Sequence, residues 1–523
     1  MSQQATAHTL TLVGLDAHAV RVEVESRRGP ATFEVVGLPE ATVRESRVRV
    51  RAALGQLGVE LGSHCLIVNL APADLRKIGS AFDVAIALAV LAAVGSIDPA
   101  SISAVAAFGE LSLSGAVRPV RGVLPLLVGA RALGVPRAIV PRANQAEAAA
   151  VVAARGAPLE VRVADTLAEI VEFLAGTAEL PLARGTGAPA SSQVDDVDLS
   201  EVCGQPAARR ALEIAAAGGH DLLMIGPPGA GKTMLARRLA TILPPLLDSE
   251  AVAVTAIHSV AGTLPPHHGL FRRRPFRAPH HTVSDAGLLG GGEPARPGEL
   301  SLAHGGVLFL DELPEFRRSA LEGLRQPLEE GSITIARARS RSTYPARPLV
   351  LAAMNPCPCG YAGSPRCRCP IERVRTYRAR VSGPIVDRLD LHVALPAVGV
   401  ADLASHETPP GESSRLVRER VERARAIQAE RHVTGEAAET TNARLPHAQV
   451  ARLARPDARG SALLANAIER LGLSARAYGK ILRVARTIAD LDGANVVAVA
   501  HVAEAIQYRL LDRRLDDAVA RTA

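Results

Sequence analysis

Apolar and polar positions follow two different periods along this chain. Residues 1–176 mix short apolar runs, such as TFEVVGL and HCLIVNLAP, with apolar stretches at helical spacing, such as FDVAIALAVLAAV. In residues 199–408, short and almost wholly apolar runs (DLLMIG, GVLFLDE, PLVLAAMN) alternate with helical stretches, which is typical of a covered parallel sheet. Residues 409–523 place apolar positions at helical spacing against arginine and glutamate faces. The pattern predicts two α/β domains followed by a helical domain.

Residues 177–198 have no apolar period and are rich in Gly, Pro, Ala and Ser, so they are predicted to form a linker. With 523 residues and 48% hydrophobic content, the chain is long enough for about three domains. No N-terminal run has the form of a secretory signal, and the most apolar stretch, from Ala81, is interrupted by Asp83 and is short for a bilayer. These features predict a cytoplasmic protein without a membrane partner.

Arginine is concentrated in the middle third of the chain. The net charge of +7 is modest, but arginines cluster in residues 272–277, 337–347 and 366–380. Such patches suit a phosphate-rich partner. A general bias of arginine over lysine on a solvated surface is the alternative. Lysine is rare, and Lys232 therefore stands out, because an ammonium group is a compact point charge that guanidinium does not reproduce.

The segment GPPGAGKT fits the phosphate-binding loop pattern G-x-x-x-x-G-K-[ST], and it follows an apolar strand and opens a helix. Its glycines let backbone amides approach phosphate oxygens. Lys232 can reach the β and γ phosphates, and the Thr233 hydroxyl can bind Mg²⁺ at the helix N-terminus. The predicted nucleotide-binding residues are Gly226, Pro227, Pro228, Gly229, Ala230, Gly231, Lys232 and Thr233, together with Asp311.

The run VLFLDE places Asp311 and Glu312 at the carboxyl end of a strand, beside the phosphates. We expect Asp311 to hold Mg²⁺, usually through water, and Glu312 to polarise the attacking water. An acidic pair that merely ends a strand is the alternative. The next strand, LVLAAMN, ends in Asn355, whose side chain can orient the same water. The sequence thus predicts an ATPase that uses ATP and Mg²⁺.

Four of the six cysteines lie in the short segment NPCPCGYAGSPRCRCP. Cys357 and Cys359 are separated from Cys367 and Cys369 by GYAGSPR, whose glycines and proline can turn the chain back on itself. Four thiolates around one ion favour a structural zinc site. The C-x-C spacing is tighter than the usual C-x₂-C, so an iron–sulfur centre and unliganded thiols remain open.

The order GPPGAGKT, VLFLDE, AAMN resembles the AAA+ ATPases. The flanking stretches RPFRAPHH, GELSLAHGGVLFLDELPEF and SGPIVDRLDLHV resemble the ComM (YifB) family of magnesium-chelatase-like ATPases, over nearly the whole chain. The resemblance implies a central AAA+ domain with a C-terminal helical lid domain, assembled as a homo-hexamer. It also implies that Arg388 is an arginine finger acting on the neighbouring subunit and that Arg476 is the sensor-2 arginine. A salt bridge with Asp387 or Asp390 is the alternative for Arg388, and a helix-surface position for Arg476.

Residues 109–141 resemble the proteolytic domain of Lon and the related domain of RadA, which implies an S5 domain 2-like α/β fold. A peptidase of this kind needs a nucleophilic serine and a lysine base. Just after VRPV, where the Lon pattern carries its lysine, this chain has RGVLPLL, and Ser80 has only Lys77 near it in sequence. We therefore predict a scaffold or nucleic-acid-binding domain without a protease dyad.

The segment GSITIARARSRSTYPARP predicts a hairpin, and in related ring ATPases such hairpins line the pore. Its arginines are the candidate DNA contacts, namely Arg337, Arg339 and Arg341. The pair His280 and His281 has metal-ligand spacing but no third ligand, so a structural or substrate-loop role is the alternative.

The leading functional hypothesis is an ATP-dependent DNA motor, a hexameric branch-migration helicase that acts on single-stranded or branched DNA in recombination or natural transformation. The alternatives are a magnesium-chelatase-type motor for metal insertion into a tetrapyrrole and a protein-remodelling ATPase. The chain lacks the D-x-S-x-S metal-adhesion pattern, which argues against the chelatase.

Overall fold

Burial alternates along the first strands of the computed structural model, which describes residues 3–153, 157–185, 197–265, 268–337, 340–397 and 411–509. The first two strands form an antiparallel hairpin with Val13 opposite Asp16, and every second residue points into the core. The strands of the N-terminal domain are β1 (Gln3–Val13), β2 (Asp16–Arg28), β3 (Thr32–Val36), β4 (His64–Ala71), β5 (Val105–Ala107), β6 (Glu110–Leu111), β7 (Val117–Arg118), β8 (Arg137–Pro141) and β9 (Glu160–Ala164).

Seven of these strands form one mixed sheet in the order β3-β4-β2-β1-β5-β8-β9, and β6 pairs with β7 beside it. Its helices are α1 (Ala41–Gln56), α2 (Asp83–Ala93), α3 (Pro99–Ile102), α4 (Val123–Ala132), α5 (Gln145–Ala153) and α6 (Leu167–Leu174). Helix α2 is buried along its whole length. Its first residue, Asp83, is also buried and is paired with Arg49 at 2.6 Å. The sheet and its helices form the α/β domain that the hydrophobic pattern predicts.

Lys77, one of the two residues considered for a peptidase, belongs to this domain. The Lys77 side chain is buried, and its Nζ donates to the carbonyl oxygen of Pro72. Burial lowers the pKa of Lys77, and the Asp74 carboxylate opposes that shift. Lys77 is thus tied to the backbone of its own domain.

The described part of the predicted linker, residues 177–185, packs against the N-terminal domain. Leu180 and Ala183 are buried, and the amide of Ala183 donates to the carbonyl of Val161 in β9 at 2.8 Å. These residues therefore extend the edge of the sheet beside β9, where Leu180 and Ala183 add to the buried core. Such short contacts leave no periodic signal in the sequence.

The central domain has a five-stranded parallel sheet in the order β11-β14-β17-β10-β18. Strands β10, β14 and β17 are buried at every position, which accounts for their uninterrupted apolar runs. The strands of this domain are β10 (Leu222–Ile225), β11 (Phe276–Arg277), β12 (Gly290–Gly291), β13 (Arg296–Pro297), β14 (Val307–Leu310), β15 (Ser332–Arg337), β16 (Ser340–Pro345), β17 (Leu349–Met354) and β18 (Leu391–Ala394).

Helices cover both faces of this sheet. They are α7 (Pro206–Gly218), α8 (Lys232–Ile242), α9 (Asp248–Ala261), α10 (Asp285–Leu289), α11 (Glu299–Leu302), α12 (Arg318–Gly323), α13 (Arg325–Glu330), α14 (Ile371–Arg378) and α15 (Gly383–Val386). Strands β15 and β16 form the predicted antiparallel hairpin outside the sheet. Strands β12 and β13 form a second, shorter hairpin.

The last described part of the chain is helical, as predicted. Its helices are α16 (Ser414–Val433), α17 (His447–Leu453), α18 (Ala458–Leu471), α19 (Ala475–Leu491) and α20 (Val499–Gln507). They share one hydrophobic core with α7, α8 and the central sheet. Within the described residues, no helix combines the length and the apolar character needed to cross a membrane.

Hydrogen bonds join the N-terminal domain to helix α9 of the central domain. Ser259 Oγ donates to Glu147 Oε2 at 2.6 Å and accepts from the amide of Gly122 at 3.1 Å. The turn between β1 and β2 also lies close to β16, because an added Cβ at Gly14 would lie 3.1 Å from the carbonyl oxygen of Thr343. The N-terminal domain therefore contacts the base of the β15–β16 hairpin.

Candidate ATPase site

The phosphate loop connects the carboxyl end of β10 to the start of α8. Gly229 and Gly231 have φ values of 78° and 79°, a left-handed conformation that favours glycine. An added Cβ at Gly226 would lie 2.8 Å from Cβ of Leu395, so the loop start also requires glycine. The glycines of the motif are thus placed where the backbone geometry and the packing demand them.

Lys232 lies at the first position of α8, and its ammonium group folds back over the loop. Nζ donates to the carbonyl oxygens of Gly226 at 2.8 Å and Pro227 at 3.0 Å, and to Asn355 Oδ1 at 2.9 Å. Burial lowers the pKa of Lys232, and the charges of Asp311 and Glu312 oppose that shift. The ammonium group thus occupies the centre of the site, with neutral oxygens as its hydrogen-bond partners in the described chain.

Parallel strands bring the polar residues of the three motifs to one edge of the sheet. Strand β17 lies between β10 and β14, so the loop after β10, Asp311 after β14 and Asn355 after β17 are neighbours. Thr233 Oγ1 donates to Asp311 Oδ2 at 2.8 Å. A hydroxyl and a carboxylate in contact are oxygen ligands of the kind that Mg²⁺ prefers. The residues present therefore fit a Mg²⁺ ion at this position.

Glu312 follows with a left-handed backbone, at φ 52°, which for a side chain of this size costs on the order of 1 kcal/mol. Its amide donates to Asp311 Oδ1 at 2.9 Å. Its carboxylate oxygen Oε2 lies 3.2 Å from Nδ1 of His281. The sequence indicated a metal-ligand, structural or substrate-loop role for His281, and the structure brings it to Glu312. The one available signal was its position just after β11, next to β14 in the sheet.

The four clustered cysteines converge in space. Their Sγ atoms all lie within 4.8 Å of one another, with separations of 3.3 Å for Cys357–Cys359 and 3.7 Å for Cys359–Cys367. Tetrahedral sulfur ligands about 2.3 Å from zinc lie about 3.8 Å apart. All are free thiols, and the separations exceed a disulfide bond. The arrangement therefore fits a tetrahedral metal ion, with Cys369 completing the set.

Backbone amides support the cysteine cluster. Ala362 donates its amide to Cys357 Sγ at 3.2 Å, and the amides of Arg368 and Tyr361 lower the pKa of Cys359 to about 6. Donors of this kind favour the thiolate, which is the form that binds a metal. The backbone around Cys359 thus favours the thiolate of that residue.

The cysteine loop packs directly on the phosphate loop. Gly360, at φ 85°, lies so close to the phosphate loop that an added Cβ would come within 2.3 Å of Cδ of Pro228. At the other end, Arg378 Nε donates to the carbonyl oxygen of Pro356 at 3.1 Å. The folded cysteine loop therefore forms one wall of the nucleotide site, a contact that the sequence could not reveal.

Arg388 and Arg476 line one cleft of about 970 Å³ between the central domain and the helical domain. None of the described residues that line this cleft belongs to the phosphate loop, 226–233. Arg388 forms an ion pair with Glu329, a partner that the sequence analysis did not consider. The structure thus brings the two arginines together but not with the phosphate loop of their own chain.

Lys480, on the helix that carries Arg476, was missed by the sequence analysis. Its Nζ donates to the carbonyl oxygen of Arg388 and pairs with Asp390 Oδ1 at 2.9 Å. Although burial opposes the shift, Lys480 and His220 hold the pKa of Asp390 well below its usual range. These contacts fix the Arg388 loop to the helical domain. The rarity of lysine in the chain was the available signal.

Of the candidate DNA contacts, Arg341 is exposed on β16, where its backbone lies opposite Ala336. Arg339 and the side chain of Arg337 lie outside the described residues. The hairpin that carries them is anchored at its base, where Tyr344 Oη donates to the carbonyl oxygen of Ala295 at 2.9 Å.

Three known families match successive parts of the chain. They are described as "Magnesium chelatase, subunit ChlI" over residues 198–403, "Subunit ChlI of Mg-chelatase" over residues 22–144 and "Magnesium chelatase, subunit ChlI C-terminal" over residues 411–509. The matches cover the three structural regions in their order along the chain. The central match marks the chain as a magnesium-chelatase-like AAA+ ATPase.

Full-length relatives give a closer comparison. The chain is 41% identical to the competence protein ComM of Haemophilus influenzae and 41% identical to the protein YifB of Salmonella typhimurium, with 98% of each chain covered in both comparisons. A weaker match, 26% identical over 34% of this chain and 23% of the relative, is to the probable DNA helicase MCM9 of Arabidopsis thaliana. Because the first two relatives match along almost their whole length, this chain belongs to the ComM (YifB) family of magnesium-chelatase-like AAA+ proteins.

Proposed function

We propose that this chain is the subunit of a homo-hexameric ring that uses ATP hydrolysis to move DNA, with branch migration as its reaction. The ring is inferred because the residues of the site lie in two separate places on one chain. The phosphate loop, Asp311 and Glu312 lie at one edge of the central sheet, whereas Arg388 and Arg476 lie in a cleft that contains no residue of that loop. A site divided in this way is completed when the arginines of one subunit reach the nucleotide of the next.

The geometry at each half of the site supports the following roles. Lys232 binds the phosphates, Thr233 and Asp311 hold Mg²⁺, and Glu312 accepts the proton of the attacking water, which Asn355 helps to orient. Mg²⁺, when bound, neutralises the charge that develops on the phosphates. Arg388 stabilises the same charge on the nucleotide of the neighbouring subunit. Arg476 binds that nucleotide next to Arg388.

DNA as the substrate is supported by the basic hairpin β15–β16, by the name of the Haemophilus relative and by the partial match to a probable DNA helicase. Aromatic residues make up only 2% of the chain, so contacts with the phosphate backbone are favoured over base stacking. Binding of this kind is independent of sequence and sensitive to salt.

The cysteine loop is proposed as a structural zinc site. Four sulfur ligands leave no open coordination position, so the metal would stiffen the wall of the nucleotide site and would not take part in the chemistry.

The test is steady-state ATP hydrolysis by the purified protein without DNA and with single-stranded DNA, duplex DNA or a four-way junction, with Glu312→Gln as the blank. Stimulation by single strands or junctions, lost at high salt, is the expected result. It would be followed by a branch-migration assay on the junction.

The family descriptions favour one second candidate, a motor for metal insertion into a tetrapyrrole. A rate that ignores every DNA and rises with a porphyrin and its partner subunits would replace the DNA motor by this candidate. A rate that ignores both would contradict both.

A further inference from the structure

The guanidinium group of Arg388 has a partner within its own chain. Nη2 of Arg388 pairs with Oε1 of Glu329, and both residues line the cleft between the central and helical domains. Glu329 lies one residue before the end of α13. Its side chain is 64% exposed, whereas that of Arg388 is 20% exposed. An ion pair with a carboxylate that is exposed to this extent adds little to stability, so another anion can replace Glu329.

The backbone of Arg388 is fixed from two sides. Its amide donates to the carbonyl oxygen of Ile385 at 3.0 Å, and its own carbonyl oxygen accepts from Nζ of Lys480. The loop that carries Arg388 is therefore held both by α15 and by the helical domain. A change of partner by the guanidinium group then needs only a rotation of the side chain.

The acidic neighbours of Arg388 in sequence do not pair with it. Asp390 pairs with Nζ of Lys480 at 2.9 Å, and Asp387 lies 3.9 Å from a different guanidinium group. Among the residues that the structure describes, Glu329 is thus the carboxylate that holds Arg388.

The second arginine of the cleft is not restrained in this way. Arg476 is exposed on α19, and its side chain forms neither a hydrogen bond nor an ion pair with the described part of the chain. The restraint by Glu329 is therefore specific to Arg388, the residue assigned as the arginine finger.

We propose that Glu329 is a positioning residue for the arginine finger. It holds the guanidinium group of Arg388 in the separate subunit and gives it up to the terminal phosphate of the neighbouring subunit's ATP when the ring closes. Phosphate can take over the guanidinium group because it accepts two parallel N–H···O bonds from arginine. This inference rests on the proposed function, because it needs Arg388 to act across the subunit interface. Subunit association with ATP then includes the breaking of the pair between Glu329 and Arg388.

The test measures association of the subunits with and without ATP, by sedimentation, in the Glu312→Gln background so that ATP is not consumed. Glu329→Gln removes the charge at nearly constant size, so Arg388 has no ion pair to break. Because an exposed ion pair changes an equilibrium by up to about five-fold, the protein concentration at half-assembly with ATP is expected to fall by about two- to five-fold. Without ATP it is expected to stay the same. Glu329→Asp keeps a carboxylate and is expected to stay closer to the parent protein.

Glu330→Gln is the matched control, because it makes the same change one residue further along α13, where the carboxylate accepts from Gln326 at 2.8 Å. In an Arg388→Ala background, Glu329→Gln is expected to have no effect, since the finger is absent. An effect that persists in that background, or a half-assembly concentration with ATP that does not fall when Arg388 is present, would overturn the inference.

A comparison with Arg388→Ala alone separates the inference from the proposed function. If Arg388→Ala leaves association with ATP unchanged, Arg388 does not act across the interface, and the proposed division of the site fails together with the inference. If Arg388→Ala weakens association but Glu329→Gln does not strengthen it, the proposed function stands and the inference alone fails.

Discussion

At the scale of single residues, a few polar side chains near the phosphate loop hold one another in place before any nucleotide binds. Lys232 bridges the loop backbone and Asn355, and Thr233 donates to Asp311. The same groups are those that would bind phosphate and Mg²⁺. Binding would therefore exchange hydrogen bonds that already orient the site, which limits the reorganisation needed.

Replacing the two charged residues of this site should separate binding from turnover. Lys232→Ala is expected to lose ATP binding, because no other lysine lies in the loop. Glu312→Gln is expected to bind ATP but to hydrolyse it about 10²- to 10⁴-fold more slowly, since an amide cannot accept the proton. Equilibrium binding of a fluorescent ATP analogue and single-turnover hydrolysis measure the two effects. Exposed Glu469→Gln is the control, and normal turnover in Glu312→Gln would refute the assignment.

At the scale of elements, two loops that are far apart in sequence form one wall. The cysteine loop, residues 356–370, touches the phosphate loop through Gly360 and Pro228. A loop of this composition has little apolar surface to bury, so it needs a cross-link to keep its shape. Metal binding and the shape of the nucleotide site are therefore expected to depend on each other.

The cysteine loop gives a direct elemental prediction. The wild-type protein is expected to contain about one zinc ion per chain, since four thiolates hold one tetrahedral ion. Cys367→Ser is expected to lose most of the zinc and to unfold at a lower temperature, because the loop then lacks its cross-link. Elemental analysis and thermal unfolding test this, with Cys203→Ser, an exposed thiol, as the control. A metal-free wild-type protein that is fully folded would disprove the site.

At the scale of the whole molecule, two interfaces decide how the parts act together. One lies between the central and helical domains, where Lys480 ties the Arg388 loop to α19. The other lies between α9 and the N-terminal domain, where Glu147 is buried and accepts from Ser259. The first aligns the two arginines in one cleft, and the second fixes the N-terminal domain to the ATPase core.

If the arginine cleft serves the next subunit, two inactive variants should complement each other. Arg388→Ala and Glu312→Gln are each expected to be inactive alone. In a mixed ring, some interfaces join an Arg388→Ala subunit to a Glu312→Gln subunit. At such an interface the first subunit can supply an intact Glu312 and the second an intact Arg388, so the active site there has both groups. ATPase activity above that of either variant is thus expected after mixing. A mixture that stays inactive, with mixed rings confirmed by differently tagged subunits, would place the finger on its own nucleotide.

The buried Glu147 predicts a pH-dependent interface. Burial raises the pKa of Glu147 above its ordinary value of 4.5, although Ser259 and Asn144 oppose the shift. The folded protein therefore prefers the protonated carboxyl, so the stability that this group contributes is complete below 4.5 and is lost as pH rises through the folded pKa. The Glu147→Gln protein should not lose stability in this way, because its amide does not titrate. Thermal midpoints measured from pH 4 to 8 are expected to shift in favour of Glu147→Gln as pH rises.

Exposed Glu34→Gln is the control for that series. A difference between the wild-type protein and Glu147→Gln that is constant across this pH range would contradict the prediction.

The sequence by itself determined the fold class and the family, and it predicted the phosphate loop and the carboxylate pair. These features depend on local spacing, since apolar runs encode buried strands and a loop with fixed glycines follows directly from β10. The order of the parallel strands then brings the motifs to one edge. The fold class and the family resemblance are confirmed, and the roles of the individual site residues stay predictions.

Tertiary structure alone decided the contacts between distant segments. It brought His281 to Glu312, Lys480 to the Arg388 carbonyl and the cysteine loop to Pro228. It also joined residues 177–185 to the edge of the N-terminal sheet. Each contact joins only one or two residues of one element to another element. Such a contact therefore leaves no periodic pattern and no fixed spacing in the sequence. Such pairs are fixed by how the elements pack in three dimensions, and their physical signal exists only in the folded chain.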